Sequence, residues 1–245
     1  MQLRPLALAA LLATAFSAQA DTIALWDFNT YTCVAPCSTL PKATQTANGG
    51  NASVLGSPTF NSATGVTGSA ISTVGYPSQG VGDLSAGVQF MFSTEGYTDL
   101  VLTFAQRNSS TASSYTALQY TTDGSTWTTA TTFQMPVPSN PSNISFVSGL
   151  TFDFSGISAV NNNADFGIRF VATFAPGTST YLSTVTRLAT DYRSTGTVRF
   201  DNVLMTGDPL PDLPIDPAPI PEPQTYALML AGLAAVGLMA RRRAR

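Results

Sequence analysis

Apolar side chains along this chain recur mostly at every second position. Phe166, Ile168, Phe170, Ala172 and Phe174 share one phase, while Gly167, Arg169 and Thr173 share the other. A period of two is that of a strand with one face in a core and one outside. Leu100, Leu102 and Phe104 repeat the pattern. Runs of Val, Ile, Thr and aromatic residues bounded by Gly, Pro, Asn and Ser predict strands over 22–28, 87–92, 99–105, 115–122, 126–133, 144–154, 166–174 and 197–206.

Two stretches predict more than a strand. In "LQYTTDGSTWTTA", two runs of Tyr, Thr and Trp flank Asp123-Gly124, residues that tolerate positive φ, and a tight hairpin is expected there. In "VRFDNVLM", Val198 and Phe200 lie in one phase, whereas Val203 and Met205 lie in the other. A β-bulge at Asp201-Asn202 returns both pairs to the same face. No stretch between the two ends of the chain sustains a 3.6-residue period. Many short strands joined by Gly, Pro and Asn turns predict an all-β domain, an antiparallel β-sandwich of the jelly-roll kind.

The ends differ from this body. Arg4, an apolar run over 5–16 and Ala18-Gln19-Ala20 form a secretory signal peptide over 1–20, with signal peptidase expected to cut after the small residues Ala18 and Ala20. The β-sandwich domain is expected over 21–207. Residues 208–220, "DPLPDLPIDPAPI", form a proline-rich linker that reaches about 40 Å at about 3.1 Å per residue. Residues 225–240 carry no charge and as one transmembrane helix reach about 24 Å, short against a hydrocarbon core of about 30 Å. The arginines that follow stay on the cytoplasmic side by the positive-inside rule, which leaves the domain outside.

Pro221-Glu222-Pro223, the apolar segment and then Arg241-Arg242-Arg243 stand in order over 221–245, and together they resemble the PEP-CTERM sorting signal of exported bacterial proteins. The resemblance implies processing near the tripeptide by a membrane enzyme, exosortase, after transient residence in the inner membrane. It further implies release to, or attachment at, the surface of a Gram-negative cell that makes extracellular polysaccharide and biofilm. "IALWDFN" and "GTVRFDNVLMTG" also resemble the first and last strands of a domain common among such proteins, a likeness of fold more than of activity.

Charge and composition narrow the chemistry. All fourteen acidic residues but only six of the eleven basic ones lie within 21–223, a net charge of −8, which excludes nucleic acid as a partner. Cys33 and Cys37 are the only cysteines, and there is no histidine, so they cannot complete a zinc site and are expected to form a local disulfide. The missing histidine also removes Ser-His-Asp and Cys-His catalysis. No catalytic residue is assigned, and no cofactor beyond a structural Ca²⁺ is expected. Asp27 with Asn29 in the first strand and Asp201 with Asn202 in the last offer the hard oxygens Ca²⁺ takes, provided those strands are neighbours. Tyr97, Tyr120, Trp127, Tyr181 and Tyr192, with Arg107 and Asn108 nearby, are the candidate sugar-stacking and hydroxyl-binding residues. The expected function is a non-catalytic structural or binding component of an exopolysaccharide layer. The alternatives are a lectin-like carbohydrate-binding module and, third, an Asp-based polysaccharide hydrolase.

Overall fold

The computed structural model describes residues 20–34, 37–211, 232–234 and 239–242. The signal peptide with Ala18, most of the linker, Pro221-Glu222-Pro223, much of the 225–240 segment and Arg243 lie outside the described residues. Residues 232–234 and 239–242, the latter including Arg241 and Arg242, are helical. No helix among the described residues is long and apolar enough to cross a membrane.

The domain is all-β and antiparallel, two sheets facing one another as a sandwich. One sheet has seven strands: β1 (Asp21–Trp26), β2 (Gln45–Thr46), β4 (Thr59–Thr64), β5 (Ser69–Val74), β7 (Tyr97–Asn108), β10 (Val147–Asp153) and β12 (Val198–Pro209). The other has five, in the order β3 (Asn51–Leu55), β6 (Gly87–Met91), β11 (Gly167–Ala172), β8 (Tyr115–Thr121) and β9 (Thr128–Gln134). All eight strands expected from alternation are present, and β2, β3, β4 and β5 are additional.

β12 organises the larger sheet. One edge pairs with β7 along its length, and the other is shared, Val198–Phe200 pairing with β5 and Val203–Gly207 with β1. Between the two halves the register slips after Asp201, and Asn202 adopts φ 48°. This is the bulge expected from the phase change: Val198, Phe200, Val203 and Met205 are all buried. β12 also continues past the expected domain end. Asp208 and Pro209, read as linker, pair with Thr98 and Tyr97. Pro209 is tolerated there because a last strand residue needs no ladder N–H.

Aromatic rings fill the space between the sheets. Phe170 of β11 stacks on Phe200 of β12 with ring centroids 4.9 Å apart and lies 4.4 Å from Phe104 of β7. Trp26 of β1 reaches across to Phe90 at 4.9 Å and Phe92 at 5.7 Å, and Phe166 continues the row to Phe154 at 5.7 Å. Cys33 and Cys37 form the expected disulfide, and Cys33 is bound to β4 through the Ser62 hydroxyl, which accepts from its N–H at 2.9 Å and donates to its carbonyl at 3.0 Å.

The β8–β9 hairpin is present, but its connection is longer than the tight turn expected. The strands end at Thr121 and resume at Thr128, and only Gly124 of the Asp123-Gly124 pair has positive φ, at 71°. Asp123 acts through its carboxylate instead: Oδ1 accepts the N–H groups of Thr126 at 2.6 Å and Ser125 at 2.8 Å and the Thr121 hydroxyl at 3.0 Å. Those amides hold its carboxyl well below the usual carboxylate range.

Phe170→Ala removes the ring that joins the sheets and is expected to cost about 3–5 kcal/mol in urea unfolding. A folded-state pKa below the unfolded value gives stability that is present above about pH 4 and lost as pH falls. The melting-temperature advantage of wild type over Asp123→Asn is therefore expected at pH 7 and should shrink as the pH is lowered below 4, as followed by circular dichroism.

Candidate functional site

The outer face of the five-stranded sheet carries a polar row that the register alone assembles. Ser53 of β3 lies opposite Gln89 of β6, Gln89 opposite Arg169 of β11, Arg169 opposite Gln119 of β8, and Gln119 opposite Thr129 of β9. Five strands at about 4.8 Å spacing spread these groups over about 19 Å. The inward neighbours Val88, Phe90, Leu118, Ile168 and Phe170 are fully buried, which fixes the phase: Ser53 and Thr129 are exposed and Gln89 and Arg169 half-buried, whereas Gln119 is itself buried, at 4% exposure, and acts through its neighbours.

These groups are preorganised. The Arg169 Nε donates to Gln119 Oε1 at 2.6 Å, and the Gln119 Nε2 donates to the Thr129 hydroxyl at 2.9 Å. The Arg169 guanidinium lies 4.4 Å from the centroid of the Trp127 ring. Partial burial lowers the Arg169 pKa from its ordinary value, but an arginine remains charged throughout the working range. At the β3 end, Ser53 also lines a cavity of about 700 Å³ together with Lys42 and Asn51. The arrangement offers neutral amides and hydroxyls, one cation and one half-exposed indole, a donor and acceptor set suited to hydroxyl-rich ligands.

Of the aromatic residues expected to bind sugar, Trp127 stands at this face. Tyr97 and Tyr120 are partly buried against the core, Tyr120 at 5.8 Å from the Phe154 ring. Tyr181 and Tyr192 require correction as exposed platforms: they are 0% and 4% exposed and stack on each other at 4.6 Å. Their hydroxyls donate to the carbonyls of Gly82 at 2.8 Å and Pro77 at 2.7 Å. Burial raises both phenol pKa values, that of Tyr192 to about 12. They anchor the irregular 178–194 segment, which explains why neither a period of two nor of 3.6 describes it. Asn108 is also buried, its amide donating to the Ser113 carbonyl at 2.6 Å. Arg169, Gln119 and Gln89 are not among the residues expected from sequence, and the outward phase of Arg169 is the one signal the sequence carries for them.

A second cluster lies where β1 leaves its pairing with β12. Asp201 is fully buried, its Oδ2 accepting the Val66 N–H at 2.7 Å and its Oδ1 the Asn202 N–H at 2.8 Å. Burial raises its pKa above the ordinary carboxylate value against the pull of those amides, and the charge of Asp27 raises it further. Asp27 Oδ1 accepts the Thr44 hydroxyl at 2.9 Å and the Asn29 N–H at 3.2 Å. Asn29 Oδ1 accepts the Thr67 hydroxyl at 3.1 Å, so the turn after β4 touches both Asp201 and Asn29. Phe28 sits at φ 52° between Asp27 and Asn29. Gly65 is required, since a Cβ there would lie 2.5 Å from Asp201 Oδ2.

The structure thus brings Asp27, Asn29 and Asp201 around one turn, while Asn202 contributes its backbone N–H. Among the described residues no group of three or more His, Cys, Asp or Glu could hold a metal ion. A hard cation here would draw on the two carboxylates with amide and backbone oxygens, which is chemistry Ca²⁺ accepts. Two further aspartates serve local structure: Asp153 accepts the Ser155 N–H at 2.8 Å and Asp191 the Thr186 hydroxyl at 2.7 Å. Were Ca²⁺ held by these oxygens, about one hundred times its Kd would stabilise chelator-treated protein by about 2.7 kcal/mol, a rise of about 5–10 °C in Tm by calorimetry. Asp201→Asn should show no such rise. An unchanged wild-type Tm removes the cation.

Among curated proteins, none is similar in sequence to this chain at a meaningful level. Among solved structures, the chain is similar to the CBM22-1 xylan-binding domain of Xyn10C from Paenibacillus barcinonensis, with TM-score 0.39, 11% identity, and 80% of this chain and 99% of that chain covered. It is also similar to the K1 cleaved adhesin domain of Lys-gingipain from Porphyromonas gingivalis W83, with TM-score 0.39, 11% identity, and 75% and 97% covered. A third is the non-crystalline cellulose specific carbohydrate-binding module CBM28, with TM-score 0.36, 13% identity, and 59% and 78% covered. No residue role passes from these structures to this chain. Residues 219–243 match the PEP-CTERM protein-sorting motif, so the chain carries the C-terminal sorting signal of an exported protein.

Proposed function

We propose that this protein is a non-catalytic polysaccharide-binding component of the cell surface or extracellular matrix. Its sandwich domain is presented outside the inner membrane, and its C-terminal segment is read and processed by exosortase. The observation that carries the binding role is the row Ser53, Gln89, Arg169 and Thr129, with Trp127 against Arg169 and the buried Gln119 holding Arg169 and Thr129 in place, on the outer face of a sheet whose opposite face is sealed in the core. A sugar chain presents hydroxyl groups along its edges and C–H groups on its ring faces. Amides and hydroxyls spread across a sheet match the first, and an indole matches the second.

The same row supports a binding role. It contains no carboxylate, whereas glycoside hydrolysis uses a pair of them flanking the scissile bond. The sorting motif marks an exported protein, which supports a role outside the cell.

The test is isothermal titration of the purified domain against a panel of soluble polysaccharides, with Trp127→Ala and Gln89→Ala alongside. Each variant is expected to weaken binding by at least about tenfold, about 1.4 kcal/mol, while the circular dichroism spectrum and melting temperature hold. Wild-type affinity in Trp127→Ala would move the site off this face, and new reducing ends released by the wild-type domain would make it an enzyme.

A further inference from the structure

On the outer face of the other sheet, two arginines stand directly opposite one another: Arg107 of β7 and Arg199 of β12 are register partners. Like charges at that position, with Cβ atoms about 4.5–5.5 Å apart, repel and destabilise the pair of strands. Among the described residues, neither has a carboxylate as a hydrogen-bond partner. Arg107 Nε donates to the Ile144 carbonyl at 2.5 Å, and an Arg199 terminal nitrogen donates to the Thr64 carbonyl at 3.2 Å. The Arg199 Nε is buried with no hydrogen-bond partner. Both side chains line a cavity of about 460 Å³, within the range of small-ligand sites, together with Asn143, Ser145, Phe146 and Ser148 and without any carboxylate. In a region of net charge −8, two of six basic residues are thus gathered into one hollow.

We propose that the Arg107–Arg199 cavity is an oxyanion-binding site for a uronic-acid residue of an acidic polysaccharide. A carboxylate placed between the two guanidinium groups turns their mutual repulsion into two charge-assisted contacts. Asn143, Ser145 and Ser148 supply donors and acceptors for ring hydroxyls, and Phe146 supplies an apolar wall for a ring face. Burial and the neighbouring Arg107 both lower the Arg199 pKa, which is the electrostatic condition an anion reverses. The inference rests on the polysaccharide-binding reading for the kind of polymer involved, but it uses the sheet opposite the Trp127 row.

Calorimetric titration of the full domain with an oligogalacturonate, its carboxyl-reduced neutral counterpart and sodium sulfate tests the proposal, using wild type, Arg107→Gln, Arg199→Gln and Trp127→Ala. The oligogalacturonate is expected to bind wild type, to weaken by about tenfold or more in each arginine variant, and to weaken as salt is raised. Trp127→Ala should retain the arginine-dependent component. Melting curves guard against misfolding: loss of one cation relieves repulsion, so the Tm of each arginine variant should equal or exceed that of wild type in the absence of anion. Equal affinity for the reduced oligosaccharide, undiminished binding in both arginine variants, or a response to sulfate alone would overturn the proposal. Loss of neutral-sugar binding in Trp127→Ala with no effect of the arginine changes would overturn this site and leave the sheet-face reading intact.

Discussion

A twelve-residue strand at the centre of a sheet has to present one face to the core along its whole length, although strand twist and two different edge partners pull its halves apart. β12 satisfies this with one extra residue. The bulge at Asp201-Asn202 resets the phase, so that Val198 and Phe200 on one side and Val203 and Met205 on the other all point inward. The position of the bulge coincides with the gap between β5 and β1, where no continuous neighbour is available to oppose a kink. The same residue count sends Arg199 outward beside Arg107 and turns the Asp201 carboxylate into a sealed pocket under the β4–β5 turn. Two of the three polar features of this domain therefore descend from one irregularity in one strand.

Much of this architecture was legible in the sequence because large apolar residues alternate with polar ones wherever a strand has one wet face. Phe166 to Phe174 and Leu100 to Phe104 announce their strands, and the phase change in "VRFDNVLM" announces the bulge. The 45–74 region stayed silent for a physical reason. Its strands are short and rich in Ser, Thr, Ala and Asn, and β5 is buried on both faces, so apolar and polar positions do not alternate clearly. The disulfide was readable from composition alone, because two cysteines in an exported segment have few other fates.

The sites were less legible, since each depends on which strands become neighbours. That Asp27 would meet Asp201 followed from a guess about the first and last strands, which β1 and β12 justify. No local pattern tells that Arg107 and Arg199, ninety-two positions apart, share a register position, or that Gln89, Arg169 and Gln119 form a line. The aromatic candidates failed differently. Tyr181 and Tyr192 lack periodicity because they pin a loop, and a pinned aromatic looks in sequence like an exposed one. Trp127 sits just before β9, beyond the carboxylate-capped turn of Asp123, where a strand pattern leaves it unexplained and a half-exposed face accounts for it.

Because β12 is both the central member of its sheet and the last strand to leave a ribosome, β7 and β1 have no partner to join them until residue 209 has been made. Three of the six pairings in the larger sheet, those with β1, β5 and β7, wait on that delayed segment, and long-range pairing of this kind is slow. A polypeptide with this wiring can close its larger sheet only after its final strand has emerged.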